Sequence, residues 1–199
     1  MDAELINIVD HEGKRRMVLF DAAHQPDLFM EGEEFANSRQ GSVPVAGVTF
    51  YNGEGDECGG LAFGSRQLDD GSYVQGVMLA FDAFRQDQAI FLDAIDAQGN
   101  RSAGLEIWNR PAGSLAEDLR HMQSLPDDAA REAFRQGLFR EHFQRLRVGM
   151  SDDGAVSVTL NDSKGTERAS GWSWANDCPK LEFLNEKGEV AYSIPPDEK

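Results

Sequence analysis

Cysteine is scarce in this chain, and the two that occur, Cys58 and Cys178, stand alone. Neither has a Cys-x-x-Cys partner, and His11, His24, His121 and His142 fall at no metal-binding spacing, so no metal is expected. Two isolated thiols define no disulfide framework. With no charged, apolar and small-residue leader opening the sequence, they point to a cytoplasmic protein whose cysteines are free, at least one of them buried for structural reasons. No run approaches the ~18 consecutive apolar residues of a membrane helix. Also missing are a Gly-x-Ser-x-Gly elbow, a Gly-Lys-Ser/Thr phosphate loop, a dinucleotide Gly-x-Gly-x-x-Gly and the alternating acidic ligands of a calcium loop, so no cofactor is expected. Basic residues are few as well. Lys and Arg number 19 against 35 Asp and Glu, a net charge of −16 that repels nucleic acid and anionic membrane surfaces at long range. The acidic residues are spread along the chain rather than massed, which fits a solvated surface better than a nucleic-acid mimic.

Turns are what the chain has in abundance. A cassette of Asp, Asn or Ser, two mostly polar residues and Gly recurs at Asp10–Gly13, Asn52–Gly55, Asp96–Gly99, Ser151–Gly154, Asp162–Gly165 and Asn185–Gly188, each time between strand-like residues. A short polar side chain accepts the backbone N–H two residues on, and Gly at the fourth position takes the left-handed conformation that closes a hairpin. Asp69-Asp70-Gly71 predicts a seventh tip. The 199 residues therefore read as one mainly β domain, an antiparallel meander of about twelve short strands, closed as a barrel or packed as a sandwich because an open sheet so wide would leave aggregation-prone edges. Residues 1–111 form hairpins interrupted by a long connection at 22–44, residues 112–147 a helical insertion, and residues 148–199 further hairpins.

The connection at 22–44 has no sustained period and carries Pro26, Gly32, Gly41 and Pro44, which suits a flap, a partner-binding arm or disorder. Its apolar triplet Leu28-Phe29-Met30 predicts docking on something. In the helical insertion, Ser114 with Glu117 forms a capping box before a short helix. Pro126, Asp127 and Asp128 start a second, whose apolar stripe of Ala130, Phe134, Leu138, Phe139, Phe143 and Leu146 predicts a helix packed on the sheet as far as Arg147. Its arginines alternate with Glu132 and Glu141, the pattern of a salt-bridged solvent face.

Chemistry concentrates in two places. Asn52-Gly53-Glu54-Gly55-Asp56-Glu57-Cys58-Gly59-Gly60 sets three carboxylates and a thiol among glycines, where backbone can approach a ligand. Strict alternation puts Asp56, Cys58 and Gly60 on one face and Glu57, Gly59 and Leu61 on the other. A carboxylate here that faces an enclosed space would have its pKa raised and could act as a general acid or base. The alternative is an ion pair of Glu57 with Arg15 or Arg101 on neighbouring strands. The second place joins Phe81-Asp82-Ala83-Phe84-Arg85-Gln86-Asp87-Gln88 to Glu106-Ile107-Trp108-Asn109-Arg110-Pro111, a mixture of aromatic anchors and charge that suits a small-molecule pocket, or else a buried Asp87–Arg110 pair. Trp172 and Trp174 share one strand face, where they would stack on a ligand or form sheet core.

The runs from Gly47 to Leu61, from Phe84 to Gln88 and from Arg101 to Pro111 resemble segments of a group of uncharacterised bacterial proteins. The resemblance spans roughly residues 4–111 and implies no activity. Two functional expectations follow from the residues. One is a binding or interaction module, with a small-molecule ligand or a second copy of the chain as partner. The other is a cofactor-independent acid/base enzyme of cyclase or isomerase type, with Asp56, Glu57, Asp87 and Glu106 as acids and bases and Trp108, Arg110, Trp172 and Trp174 binding the ligand.

Overall fold

A computed structural model describes residues 2–36, 38–39, 43–138, 141–173 and 179–195. The hairpin grammar is realised as an antiparallel meander. β1 (Leu5–Val9) and β2 (Arg15–Phe20) come first, followed by a separate small hairpin of β3 (Leu28–Met30) and β4 (Glu33–Phe35). Then come β5 (Ala46–Tyr51), β6 (Glu57–Gln67), β7 (Tyr73–Asp82), β8 (Gln88–Ala97) and β9 (Asn100–Asn109). Two helices, α1 (Leu115–Ser124) and α2 (Asp128–Leu138), precede β10 (Phe143–Met150), β11 (Val156–Asn161), β12 (Glu167–Ser173), β13 (Pro179–Leu184) and β14 (Val190–Ile194). Apart from β3 and β4, all strands join one twelve-stranded sheet in chain order. The ladder does not close on itself, since β1 pairs with β2 and β14 with β13 alone among the described residues. Short tips explain most of this order, because a tight turn leaves the next strand nowhere to pair but beside its predecessor, while β2–β5 and β9–β10 pair across the long connections that hold the small hairpin and the helices.

Five of the six cassettes close as their chemistry dictates. The glycine N–H bonds the carbonyl of Asp10, Asn52, Ser151, Asp162 or Asn185 at 2.9–3.1 Å, and each glycine has φ between +77° and +93°. The Asp69-Asp70-Gly71 tip forms in the same way, with Gly71 N–H on the Leu68 carbonyl. Asp96 behaves differently. Ala97 pairs directly with Asn100, and Gln98 and Gly99 both have positive φ, a two-residue hairpin in which the Asp96 carboxylate accepts the Gly99 N–H at 2.9 Å.

The insertion departs from expectation in its second half. α1 begins at the expected cap, although the Ser114 hydroxyl accepts the Ala116 N–H rather than completing a capping box. α2 stops at Leu138, none of its described residues is buried, and Phe143–Met150 is a strand rather than a helix continuing to Arg147. Leu146, Val148 and Met150 alternate with Arg147 and Gly149, and pairing on both sides with β9 and β11 overrides the helical spacing. The salt-bridged face does form, as Arg131–Asp128 at 2.7 Å and Arg135–Glu132 at 2.9 Å.

The connection at 22–44 is not structureless. Its triplet becomes β3 and folds back with β4 on its own chain. Met30 and Phe35 are almost fully buried with Ala116 of α1, while Phe29 and Val45 pack on Val18, Phe20 and Tyr51 of the sheet. The core thus lies on one face of the sheet, between β2 and β5 on one side and the hairpin and α1 on the other. No described helix is long and apolar enough to cross a membrane. Phe35→Ala should lower stability by about 3 to 5 kcal/mol in denaturant unfolding, with amide exchange over residues 28–35 accelerated first.

Candidate functional site

A bulge decides which carboxylates meet. Phe50 lies opposite Gly59 but Tyr51 lies opposite Glu57, so Cys58 is the extra residue and Glu57 moves to the face that carries Tyr51, Thr49 and Ala80. This reverses the face that simple alternation assigns to Glu57. Gly59 permits it: its φ is +134°, and a Cβ there would sit 2.3 Å from the Ala80 carbonyl oxygen. Asp82, two residues beyond Ala80 on β7, shares that face, and opposite it stands Gln88. Cys58 is half-buried, and burial pushes its thiol pKa up, with the Asp82 and Glu57 charges adding to the effect. It is a protonated thiol, poorly suited to nucleophilic attack.

Around these residues lies a cleft of about 440 Å³. The sheet supplies its floor with Glu57, Asp82 and Gln88. The β3–β4 hairpin and the residues after it form one wall with Leu28, Phe35 and Arg39, and α1 forms the other with Leu115, Leu119 and Met122. Gln86 and Asp87, from the turn between β7 and β8, close one side. The volume suits a small organic molecule, and the lining is apolar on the walls and polar on the floor.

The floor is electrostatically tense. Arg39 clamps Glu57 with one guanidinium nitrogen at 2.7 and 2.8 Å from the two carboxylate oxygens. Even so, burial outweighs Arg39 and raises the Glu57 pKa. Asp82 goes further: burial first, then the Glu57 and Asp87 charges, push its carboxyl up to about 7 against the opposing pull of Arg39 and Arg110. Its Oδ1 is buried without a hydrogen-bond partner, and so is Oε1 of Gln86, a residue 4 % exposed. Two unsatisfied acceptors in one cleft are costly unless something else completes them.

The other expected site residues sit elsewhere. Asp56 is 1 % exposed and serves as a structural hub: its Oδ1 accepts the Glu31 N–H at 2.7 Å, its Oδ2 faces Arg85 Nε at 3.5 Å, and its own N–H donates to Asn52 Oδ1. Glu106 is also buried and fully engaged. It accepts from Trp108 Nε1 at 2.9 Å and Gln144 Nε2 at 2.7 Å, and pairs with Arg147. Neither lines the cleft. Arg110 lies beside it, its side chain 8 % exposed, bonding the Gln88 carbonyl at 2.6 Å and His142 Nδ1 at 2.7 Å, stacked 5.3 Å from Trp108 and 3.6 Å from Asp87. The expected Asp87–Arg110 pair is therefore present. Glu57 pairs with Arg39 instead of Arg15 or Arg101, which are taken by Glu34 and Asp96. Trp174 and Cys178 lie outside the described residues, and Trp172 is placed only by register, opposite Ser157 and Lys180. Asp82 and Arg39 are the site residues that the sequence reading did not single out for a role. For Asp82 the signal was its place between two aromatics in the Phe81–Gln88 segment, while Arg39 lay in the unpatterned connection and gave none.

The raised Asp82 pKa has a defined consequence. Between pH 4 and 7 the folded state binds more protons than the unfolded state, so stability falls as pH rises through that window and stays lower above it; Glu57 acts in the same direction. Asp82→Asn should flatten this fall and raise stability at pH 8 by roughly 1 to 3 kcal/mol, read from thermal or denaturant melts. Glu57→Gln should move the Asp82 titration, followed by carboxyl NMR, towards lower pH, because one of the charges raising it is gone. No protein-family model matches the chain, and no curated protein matches it either.

Proposed function

We propose that the chain is a binding module whose cleft takes a small molecule carrying an amine and further hydrogen-bond donors. One observation carries this reading: the cleft holds two buried acceptors without partners, Asp82 Oδ1 and Gln86 Oε1, beside carboxylates that a cation would stabilise. An ammonium group beside Asp82 would pair with its charge and favour the ionised carboxylate, while Leu28, Phe35, Leu115 and Leu119 would cover an apolar body. Glu57 and Asp87 belong to this ligand shell, with Arg110 as a positioning residue through Asp87. A cytoplasmic site of action fits the free Cys58 thiol. The twelve-stranded sheet in this reading is the scaffold, and its packing as a sandwich needs a second layer against the face away from the cleft.

A second reading draws on the Asp82 pKa of about 7, which suits a general acid or base at neutral pH. Asp82, rather than Asp56 or Glu106, would then exchange a proton with a small organic substrate in a cyclisation or isomerisation that needs no cofactor.

Thermal-shift measurements with putrescine and ethanolamine, against acetate and glycolate as controls, test the binding reading. The amines should raise the melting temperature and the acids should not. The shift should grow from pH 6 to 8 as Asp82 ionises, and disappear in Asp82→Asn. Equal response to acids, or an undiminished response in Asp82→Asn, would overturn it.

A further inference from the structure

The face of the sheet opposite the cleft is apolar from one edge to the other. One register row crosses all twelve strands from Ile6 in β1 to Ile194 in β14, and every residue in it is Leu, Ile or Val except Gly171. The adjoining row, from Ile8 to Tyr192, is equally free of charge. These side chains are not covered: Leu92 is 47 % exposed, Val158 41 % and Phe183 42 %. The described segments outside the ladder cannot cover them, because the β3–β4 hairpin and α1 wall the cleft on the other face and Arg135 of α2 borders it there. Soluble antiparallel sheets tolerate one wet face when that face is polar; this one is not.

We infer that a second copy of this chain covers that face, two sheets meeting as a symmetric sandwich. Area supports it. The accessible surface is 12677 Å², against about 9,300 Å² for a compact monomer of this mass. At ordinary strand spacing the two apolar rows present roughly 800 Å² per copy, about the area per partner of a stable interface. Chemistry supports it as well. An isologous contact needs a patch complementary to itself, and an uncharged aliphatic face meets that need without any pairing of opposite charges. The small residues Gly59, Ala169 and Gly171 set among Phe81, Phe183 and Leu181 leave room for the partner's side chains to interdigitate. The acidic surface disfavours one other occupant, because a chain of net charge −16 repels anionic lipid headgroups. It also repels its own copy at long range, so salt should strengthen the dimer by screening that term while the apolar contact persists.

Sedimentation velocity of the full chain at micromolar concentration, in low and high salt, is the test. A species of twice the 22.0 kDa chain mass is expected, more populated in high salt. Leu92→Lys and Val158→Lys should weaken association at least ~10-fold, whereas Ser157→Lys, on the opposite face of the same strand, should not. Circular dichroism establishes that the variants fold, and where lysine prevents folding, Leu92→Ala and Val158→Ala give the same readout with a smaller loss. A monomer at both salt concentrations, a dimer dissolved by salt, association undiminished in the Leu92 and Val158 variants, or a monomer from which lipid is extracted would each overturn the inference. Amine binding in the cleft is read separately and does not depend on this outcome.

Discussion

The buried carboxylate of Asp56 holds together the parts of the molecule that are not sheet. Its Oδ1 takes the backbone N–H of Glu31, at the tip of the β3–β4 hairpin, where Glu31 has φ +54°. Arg85, also at positive φ, reaches Asp56, Glu54 and Glu31, and Arg120 of α1 reaches Glu31 and Glu33 at 3.0 and 2.7 Å. Hydrogen bonds from Ser114 and then Arg120 hold Glu31 below the usual carboxylate range. Three hairpin tips and a helix N-terminus converge on this knot. Without it the hairpin is held by Phe29 on the sheet, by Met30 and Phe35 on α1 and by the exposed Arg15–Glu34 pair, and a cleft with one wall missing is open solvent. Asp56 is the one deeply buried member of this network, and removing Arg85 would leave its charge without a cation, so the network specifies one docking geometry more than it adds stability.

The knot and the cleft are near neighbours with opposite electrostatic states. At the knot every carboxylate has an arginine or a backbone donor. On the cleft floor Glu57 has its arginine, but Asp82 faces two like charges and has no donor on Oδ1. The difference lies in the neighbouring charges, since Asp56 Oδ2, also without a hydrogen-bond partner, faces Arg85, whereas Asp82 faces Glu57 and Asp87. The bulge at Cys58 is the device that creates it, because it turns Glu57 onto the same face as Asp82.

The two faces of the sheet divide the work. One carries the hairpin, α1, the small hydrophobic core and the cleft. The other carries uncharged rows of aliphatic and aromatic residues, several of them more than a third exposed. Each tip residue that reads as a polar ornament in the sequence serves this division, since the short turns keep twelve strands in register and thereby align the apolar rows.

The sequence by itself determined the local grammar. Asp10, Asn52, Asp162 and Asn185 with their glycines could be read as hairpin tips because the turn is closed within five residues by contacts the chain makes with itself. Most of the strand order followed, since tight turns permit only neighbours to pair; β2–β5 and β9–β10 pair across long connections. The Ser114 cap and the Asp87–Arg110 pair were legible for the same reason of short-range chemistry or plain charge. What only the tertiary structure decided was long-range. Residues 143–150 carry apolar spacing compatible with helix, and two flanking strands settled them as β10. The unpatterned connection became an ordered hairpin because Ala116, more than eighty residues away, offered Met30 and Phe35 a place to bury. Asp56 and Glu57 are adjacent in sequence and look alike; a bulge of one residue sent the first into a structural knot and the second onto the floor of a cleft. Their roles depend on which face and which neighbours they meet, and those are properties of the packed sheet rather than of the segment.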